Sequence, residues 1–293
     1  MPDVSGFDAA RAYSAPRPPP AAPVDRFVYG LTQPLLGIRV LSAHRALLIA
    51  ALIPAIVLAA VCAAVALVSN RPFLHEFYTT FAVLAPLPSI VFASHYARMA
   101  VTARHALGFA PAEPCIEPFG RLLRRSFQQA ILVAIAIAPV TVLLHMVPGV
   151  GGTVGKLFAA AWALHWVVVE AFDTARVMRP GQTLADLDAE AQRTQQPWYV
   201  RGLTQAADHV PIGRALLLRF SRLCDRLSVS WREEIALVEA HPVMAIGFAL
   251  STAALLAIPV VNLAFRPIIM IAAVHVMGQL EHAPSEPPAQ QRG

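Results

Sequence analysis

The sequence carries little charge for its length. Only 14% of its 293 residues are charged, whereas hydrophobic residues make up 57%. A soluble domain carries charge on about a quarter of its residues. A single soluble core could not bury the long apolar runs described below. The composition therefore predicts an all-α fold, a polytopic integral membrane helical bundle.

Cysteine and lysine are also scarce. Cys62, Cys115 and Cys224 are far apart in the chain and have neither the spacing of a disulfide framework nor that of a metal site. Lys156 is the only lysine among 23 basic residues. The basic residues are not gathered on one domain, and no zinc or aromatic recognition pattern accompanies them. We therefore expect no nucleic-acid partner, no metal and no cofactor.

Both ends of the chain differ in composition from its middle. Residues 1–25 are rich in proline and lack the apolar core of a cleavable signal, so we predict a disordered amino-terminal tail. Residues 283–293 predict a second disordered tail. The region between them, 26–282, is predicted to form the helical membrane domain.

Six apolar segments fall within this domain. A helix needs about 20 residues to cross a hydrocarbon core of about 30 Å, and the first four segments meet that length. The last two would together make a helix of about 50 Å, so we predict a turn at 262–267 and a hairpin that spans or penetrates half-way. The segments lie at about 46–68, 77–97, 127–147, 154–172, 243–264 and 267–280.

The distribution of basic residues predicts an orientation. If both termini are cytoplasmic and all segments cross, the cytoplasmic parts contain 20 of the basic residues and the outside loops contain 3. This bias is typical of inner-membrane proteins with both termini inside the cell. It makes 173–242 a cytoplasmic insert. Within the insert, one face of an amphipathic helix is predicted to carry the apolar residues, and its arginines lie elsewhere. The apolar residues are Leu216, Phe220, Leu223 and Leu227, and the arginines are Arg219, Arg222 and Arg226.

Two groups of residues are candidates for anion binding. Arg266 and Asn262 lie next to Pro267, and an arginine beside a helix N-terminus attracts negative charge. The alternative is an ordinary turn whose arginine reaches the lipid headgroups. Arg39 and Arg45 flank the first segment, where they either gather anions or simply bind lipid phosphates.

Three ionisable residues follow one another near the inner end of the fourth segment. Glu170, Asp173 and Arg176 are spaced by three, so they share a helix face, and Asp173 can pair with Arg176. Ionisable groups near a membrane span are candidates for a gate, and a structural ion pair is the alternative. No nucleophile and base stand together in the sequence, so we expect no enzyme.

The carboxyl-terminal third resembles a known family. Residues 224–276 are similar to the CysZ-type sulfate permeases, which belong with the etoposide-induced membrane proteins. Residues 27–54 match that family more loosely. The elements that carry the resemblance are Asp225, Ser230–Trp231, Gly247–Phe248, Ile258–Pro259, Asn262–Leu263 and Pro267.

The resemblance implies a homo-oligomeric inner-membrane permease with two long spanning helices and half-penetrating hairpins. The family takes up sulfate and uses a Gly-Leu-Arg triplet near its first membrane helix. The similar triplet Gly37–Ile38–Arg39 lies about two turns before that place, so the role is implied for Arg39 or Arg45. Asp225 joins the candidates for a structural ion pair or a gate.

Two functions follow from the sequence. The first is a permease or channel for a small inorganic anion, with sulfate favoured. The second is a non-transporting membrane protein that binds lipids or a protein partner through its arginine-rich amphipathic helix. A membrane enzyme that uses Glu170 and Asp173 is a weaker third possibility.

Overall fold

The computed structural model describes residues 17–84, 88–146, 148–149, 151–209, 213–257 and 262–282. The predicted tails, apart from residues 17–25, lie outside this part of the chain. The described part is almost entirely helical, as predicted. The first helix begins at Pro23 and takes in the last three residues of the predicted tail, because proline suits the first turn of a helix.

The described part of the chain consists mainly of α-helices, numbered here in chain order. In chain order they are α1 (Pro23–Ala43), α2 (Arg45–Val68), α3 (Phe73–Leu84), α4 (Pro88–Val91), α5 (Ala93–Ala106), α6 (Phe119–Ile135), α7 (Ala138–His145), α8 (Gly151–Thr174), α9 (Leu184–Arg193), α10 (Trp198–His209), α11 (Arg214–Ser228), α12 (Arg232–Ala240), α13 (Pro242–Leu256) and α14 (Asn262–His282).

Two short strands tie distant loops together. β1 (Glu113–Pro114) follows α5, and β2 (Val177–Met178) follows α8. They pair in antiparallel register, Glu113 with Met178 and Pro114 with Val177. The pairing brings the chain just after β1 alongside the end of α8. Both segments contribute to the site described below.

Three helical stretches in the described chain are long and apolar enough to cross a bilayer. They are Arg45–Val68, Phe119–Val142 and Gly151–Thr174. The number rises to four if Arg214–Ala240 and Pro242–Leu256, bent by 108°, are counted as one span. The first and third stretches match the predicted segments 46–68 and 154–172 to within three residues at each end.

The other predicted segments need correction. Segment 77–97 is not one helix, since α3, α4 and α5 divide it; Pro86 and Pro88 remove backbone donors there. The third segment begins at Phe119 rather than 127, because the helix takes in about two mostly polar turns before the apolar run.

The carboxyl-terminal hairpin also turns earlier than predicted. α13 ends at Leu256, and α14 already begins at Asn262, so Arg266 and Pro267 lie inside the helix. We had placed the turn at 262–267. A proline this close to a helix N-terminus removes only one intrahelical hydrogen bond, so the helix tolerates it. α13 has 15 residues, too few to cross a bilayer.

α14 is the centre of the molecule. Its residues from Ile268 to Val276 are all buried, against α1, α5 and α8. A helix that is apolar on every side belongs inside a bundle. In its middle, His275 Nδ1 shares a hydrogen bond of 2.7 Å with Gln33 Oε1 of α1. Near its end, Glu281 pairs with Arg104 of α5, whose guanidinium also contacts the ring of Phe109.

The insert at 173–242 contains four helices, α9 to α12. α9 begins with a capping box, in which Thr183 and Asp186 each accept a hydrogen bond from the other's backbone N–H. Ser230 and Glu233 have the spacing of a second capping box, but it is not formed. Ser230 lies in a short 3₁₀ turn before α12, and no side chain caps that helix.

Candidate functional site

Two adjoining cavities lie along α8, the first between α5, α8, α13 and α14 and the second between α5, α6 and α8. We call them the Arg266 cavity, about 70 Å³, and the Arg125 cavity, about 100 Å³. Tyr96, Glu170 and Thr174 line both of them. The two cavities therefore form one polar cleft, bounded by α8 along its length.

The Arg266 cavity is lined by one cation, one carboxylate and three hydroxyls. Arg266 Nη1 lies 3.8 Å from Glu170 Oε1, which is a loose ion pair. Tyr96 Oη and Thr252 Oγ1 are buried, and neither hydroxyl has a hydrogen-bond partner within the described chain. The remaining lining residues are apolar except Thr174. Buried hydroxyls are normally satisfied, so this pair indicates a place for a polar ligand or water.

Arg125 is the centre of the second cavity. Its guanidinium donates to Glu117 Oε1 at 2.5 Å and to Asp173 Oδ1 at 2.6 Å. It also lies 5.2 Å from the ring centre of Trp231, within the range of a cation–π contact. Arg125 thereby joins α6, the loop after β1 and the end of α8. Its charge is balanced by two carboxylates.

Arg176 forms a second buried ion pair beside the first. Its Nε donates to Glu234 Oε1 at 2.7 Å, and its Nη2 lies 3.5 Å from Glu233 Oε2. Burial raises the pKa of the Glu234 carboxyl to about 7, against the opposing effect of Arg176. We predicted a pair between Asp173 and Arg176. Instead Asp173 pairs with Arg125, because α8 ends at Thr174 and the chain then turns Arg176 towards α12.

Further ion pairs surround the Arg125 cavity. Arg121 lies 3.3 Å from Glu117 Oε2 and 2.6 Å from Asp188 of α9. Asp225, a predicted gate candidate, pairs with Arg232 at 2.6 Å and does not line either cavity. The Arg121–Asp188 pair holds the insert against α6, and the Asp225–Arg232 pair joins α11 to α12 within the insert.

The structure brings together four of the predicted site residues and separates the rest. Glu170, Asp173, Arg176 and Arg266 all line the cleft. Arg39 and Arg45 are exposed, away from both cavities, and Ile38 is exposed as well. The side chain of Asn262 lies outside the described part.

Gly37 has a packing role in the structure. A Cβ at this position would overlap the carbonyl oxygen of Ile268, so α1 and α14 touch through their backbones there. The triplet Gly37–Ile38–Arg39 therefore does not line the cleft. Its glycine allows the close approach of two helices.

Sequence reasoning missed several residues of the cleft. Tyr96 and Thr252 are single polar residues in apolar surroundings. Nothing in their spacing along the chain indicates that they line the same cavity. Arg125 and Glu117 were counted only as part of a basic cytoplasmic loop. Their spacing of eight residues across Pro118 carries no helical signal, so only the fold joins them.

His95 and His165 each contact other residues of the helical bundle. His95 shares one hydrogen bond of 2.8 Å with the carbonyl of Ala50, and His165 stacks on Trp162. Within the described residues, no group of three or more His, Cys, Asp and Glu side chains is arranged to hold a metal ion.

Comparison of the chain with protein-family models, with curated proteins and with solved structures gives no match. Functional inference consequently depends on the cleft and its surroundings.

Proposed function

We propose that this protein is an integral membrane permease or channel for a small inorganic anion, with sulfate the favoured ion. The observation that carries the proposal is the position of Arg266 in a cavity beside two buried hydroxyls that have no hydrogen-bond partner within the described chain. A guanidinium and two hydroxyls can together donate hydrogen bonds to one small anion.

The surface of the protein supports a membrane location. α2 exposes large apolar side chains along its length, including Ile56, Leu67 and Val68, and α6 exposes Phe119 and Phe127. Soluble monomers rarely expose apolar patches of this extent. A bilayer would cover these faces, and the bias of basic residues places both termini on the cytoplasmic side.

The cleft suggests how an anion would pass. In the resting state Glu170 occupies the neighbourhood of Arg266. An arriving anion displaces the carboxylate and accepts hydrogen bonds from the guanidinium, from Tyr96 Oη and from Thr252 Oγ1. When the anion leaves, Glu170 returns. Glu170 also lines the second cavity, so its movement opens one compartment to the other.

The Arg125 cavity forms the second part of this path. Arg125 and Arg176 are each matched by carboxylates, so the cavity attracts anions only weakly. Conduction requires sites that bind an ion without trapping it. A charge-balanced compartment next to the Arg266 cavity meets that requirement.

The resemblance to the CysZ-type permeases also supports an anion pathway, an inner-membrane location and a homo-oligomer. The structure changes which residues we assign within it. Gly37 packs against α14, so we assign anion binding to Arg266, and we assign the gathering of anions from solution to the exposed Arg39 and Arg45.

Sulfate flux into liposomes containing the purified protein tests the proposal. Arg266→Gln should reduce flux at least tenfold, because an uncharged amide cannot replace the guanidinium as the partner of the anion. Arg98→Gln is the matched control, since Arg98 is exposed on α5 and should leave flux unchanged. Flux no higher than in empty vesicles, from protein that elutes as a single folded species, would reject the permease.

The alternative function predicts a different pattern. A non-transporting protein that acts through α11 would tolerate Arg266→Gln and would lose function when Arg219, Arg222 and Arg226 are reversed in charge. The two buried hydroxyls beside Arg266 favour the permease, because buried hydroxyls are normally satisfied and a polar ligand in this cavity would be their partner.

A further inference from the structure

One exposed face of α11 combines positive charge with apolar side chains. Arg219, Arg222 and Arg226 are exposed, and Leu216 and Leu223 are 72% and 45% exposed. We call these five residues the α11 surface. At about 100° per residue, the three arginines lie within an arc of about 60°, and the two leucines lie together at one edge of it. The helix therefore presents a basic stripe beside an apolar stripe.

The opposite face fixes this helix to the rest of the protein. Ser221, Cys224 and Ser228 are buried, and Ser221 Oγ lies 2.9 Å from Thr204 Oγ1 of α10. α11 also packs on α6, the helix that begins the second candidate span. The α11 surface consequently cannot turn inward to bury its leucines, and it is held beside a helix whose own apolar face is exposed.

Nearby carboxylates leave the positive charge of the surface uncancelled. Asp225 pairs with Arg232, and Asp208 pairs with Arg214 at the start of the helix. In the part of the chain that the structure describes, no ion pair within 4.0 Å involves Arg219, Arg222 or Arg226. Two exposed leucines beside three such arginines match the surface of an anionic lipid leaflet, where negatively charged headgroups lie next to hydrocarbon.

We propose that the α11 surface binds anionic phospholipid headgroups of the cytoplasmic leaflet. The arginines donate to headgroup phosphates, and the leucines enter the boundary between headgroups and acyl chains. Each arginine near such a surface strengthens the attraction about fivefold. The inference rests on the membrane location in the proposed function and does not require that the protein transports an anion.

A quenching experiment on the full chain tests this contact. The native cysteines are replaced by alanine, and an environment-sensitive fluorophore is attached to L216C. The protein is placed in nanodiscs of phosphatidylcholine with headgroup-labelled quencher lipids, with or without phosphatidylglycerol. We expect quenching to increase severalfold when phosphatidylglycerol is present and to fall as salt is added.

Two triple variants separate charge from folding. R219K/R222K/R226K retains the charge and should retain most of the quenching, whereas R219Q/R222Q/R226Q should lower it at least fivefold in the anionic nanodiscs. Equal quenching in neutral nanodiscs, or in the glutamine variant, would show that headgroup charge is not recognised. Absence of quenching in every nanodisc would show that the surface faces solvent or a protein. Either result overturns the proposal. Sulfate flux is measured separately, so failure of transport leaves this test intact.

Discussion

Gly30 of α1 and Gly247 of α13 bring two helix backbones into direct contact. A Cβ at Gly30 would overlap the carbonyl oxygen of Met244, and a Cβ at Gly247 would overlap that of Phe27. Each glycine thus meets the backbone of the other helix. Together with Gly37 against Ile268, this packing lets α1 lie closely on both helices of the carboxyl-terminal hairpin.

Gly247→Ala should destabilise the protein by about 1–3 kcal/mol, because a backbone carbonyl cannot move aside as a side chain does. The free energy of unfolding in detergent micelles measures the effect. Gly202→Ala is the matched control, since Gly202 lies in α10 with open space around it. That change should be neutral or stabilise by up to about 1 kcal/mol. Equal effects at both positions would contradict the backbone contact.

The buried ion pairs predict unequal roles for two adjacent arginines. Arg125→Ala removes the partner of Glu117 and Asp173 and should cost about 3 kcal/mol or more, since it leaves buried carboxylates with less compensation. Arg124 is exposed, and Arg124→Ala should change stability by less than about 0.5 kcal/mol. The free energies of unfolding of the two variants in the same detergent measure this difference, and equal losses of stability would contradict it.

Cys115 should react slowly with alkylating reagents at neutral pH. Burial raises the pKa of its thiol to about 11, and only the thiolate is a nucleophile. The alkylation rate, followed by peptide mass spectrometry, should therefore keep rising from pH 8 towards pH 11. A plateau near pH 8.5 to 9, as for an ordinary thiol, would show that Cys115 faces water rather than the Arg125 cavity.

The capping box predicts a response of α9 to acid. Hydrogen bonds from the hydroxyl and the backbone N–H of Thr183 lower the pKa of Asp186 below its usual value. Its stabilising effect is fully present above the unfolded pKa and is lost as the pH falls through the lower, folded value.

Hydrogen-exchange protection of α9, corrected for intrinsic rates, should therefore decrease below about pH 4 in the natural chain. In Asp186→Asn the protection should be lower at neutral pH and should not respond to acid at this helix. Thr183→Ala should weaken the helix by about 1 kcal/mol at neutral pH. An acid response that persists in Asp186→Asn would assign it to another carboxylate.

The dependence of sulfate flux on ionic strength tests the different roles proposed for Arg266 and for Arg39 and Arg45. Replacing Arg39 and Arg45 together by alanine should lower sulfate flux severalfold at low ionic strength and have little effect at high ionic strength, because salt screens exposed charges. Arg266→Gln should lower flux at every ionic strength. A loss of flux in the Arg39/Arg45 variant that salt does not reduce would place the binding site at the first segment instead.

The sequence predicted the long apolar helices well and the interrupted ones poorly. α2 and α8 are each one continuous helix over a mainly apolar stretch, so hydropathy places their ends to within three residues. Segment 77–97 is also mainly apolar, yet three helices divide it, and a hydropathy average does not register Pro88 at the start of α4. Similarly, the polar first turns of α6 hid its true beginning.

The candidate site was predicted in part, through residues that stand out in an apolar context. Glu170 and Arg266 were both noticed, but their contact spans 96 positions in the chain, and no sequence pattern joins them. The partners of Asp173 and Arg176 were misassigned for a related reason. Helical spacing suggests local pairs, whereas the end of α8 and the pairing of β1 with β2 offer both side chains more distant partners.

The central position of α14 has a consequence for biosynthesis. The ribosome synthesises α1, α5 and α8 well before it synthesises α14, the helix that packs against all three. Until α14 is synthesised, Gly37 lacks its backbone contact with Ile268 and the Gln33 amide lacks its hydrogen bond with His275. We expect the newly made chain to depend on membrane-embedded chaperones during that interval, and premature release before residue 262 should yield protein that cells degrade.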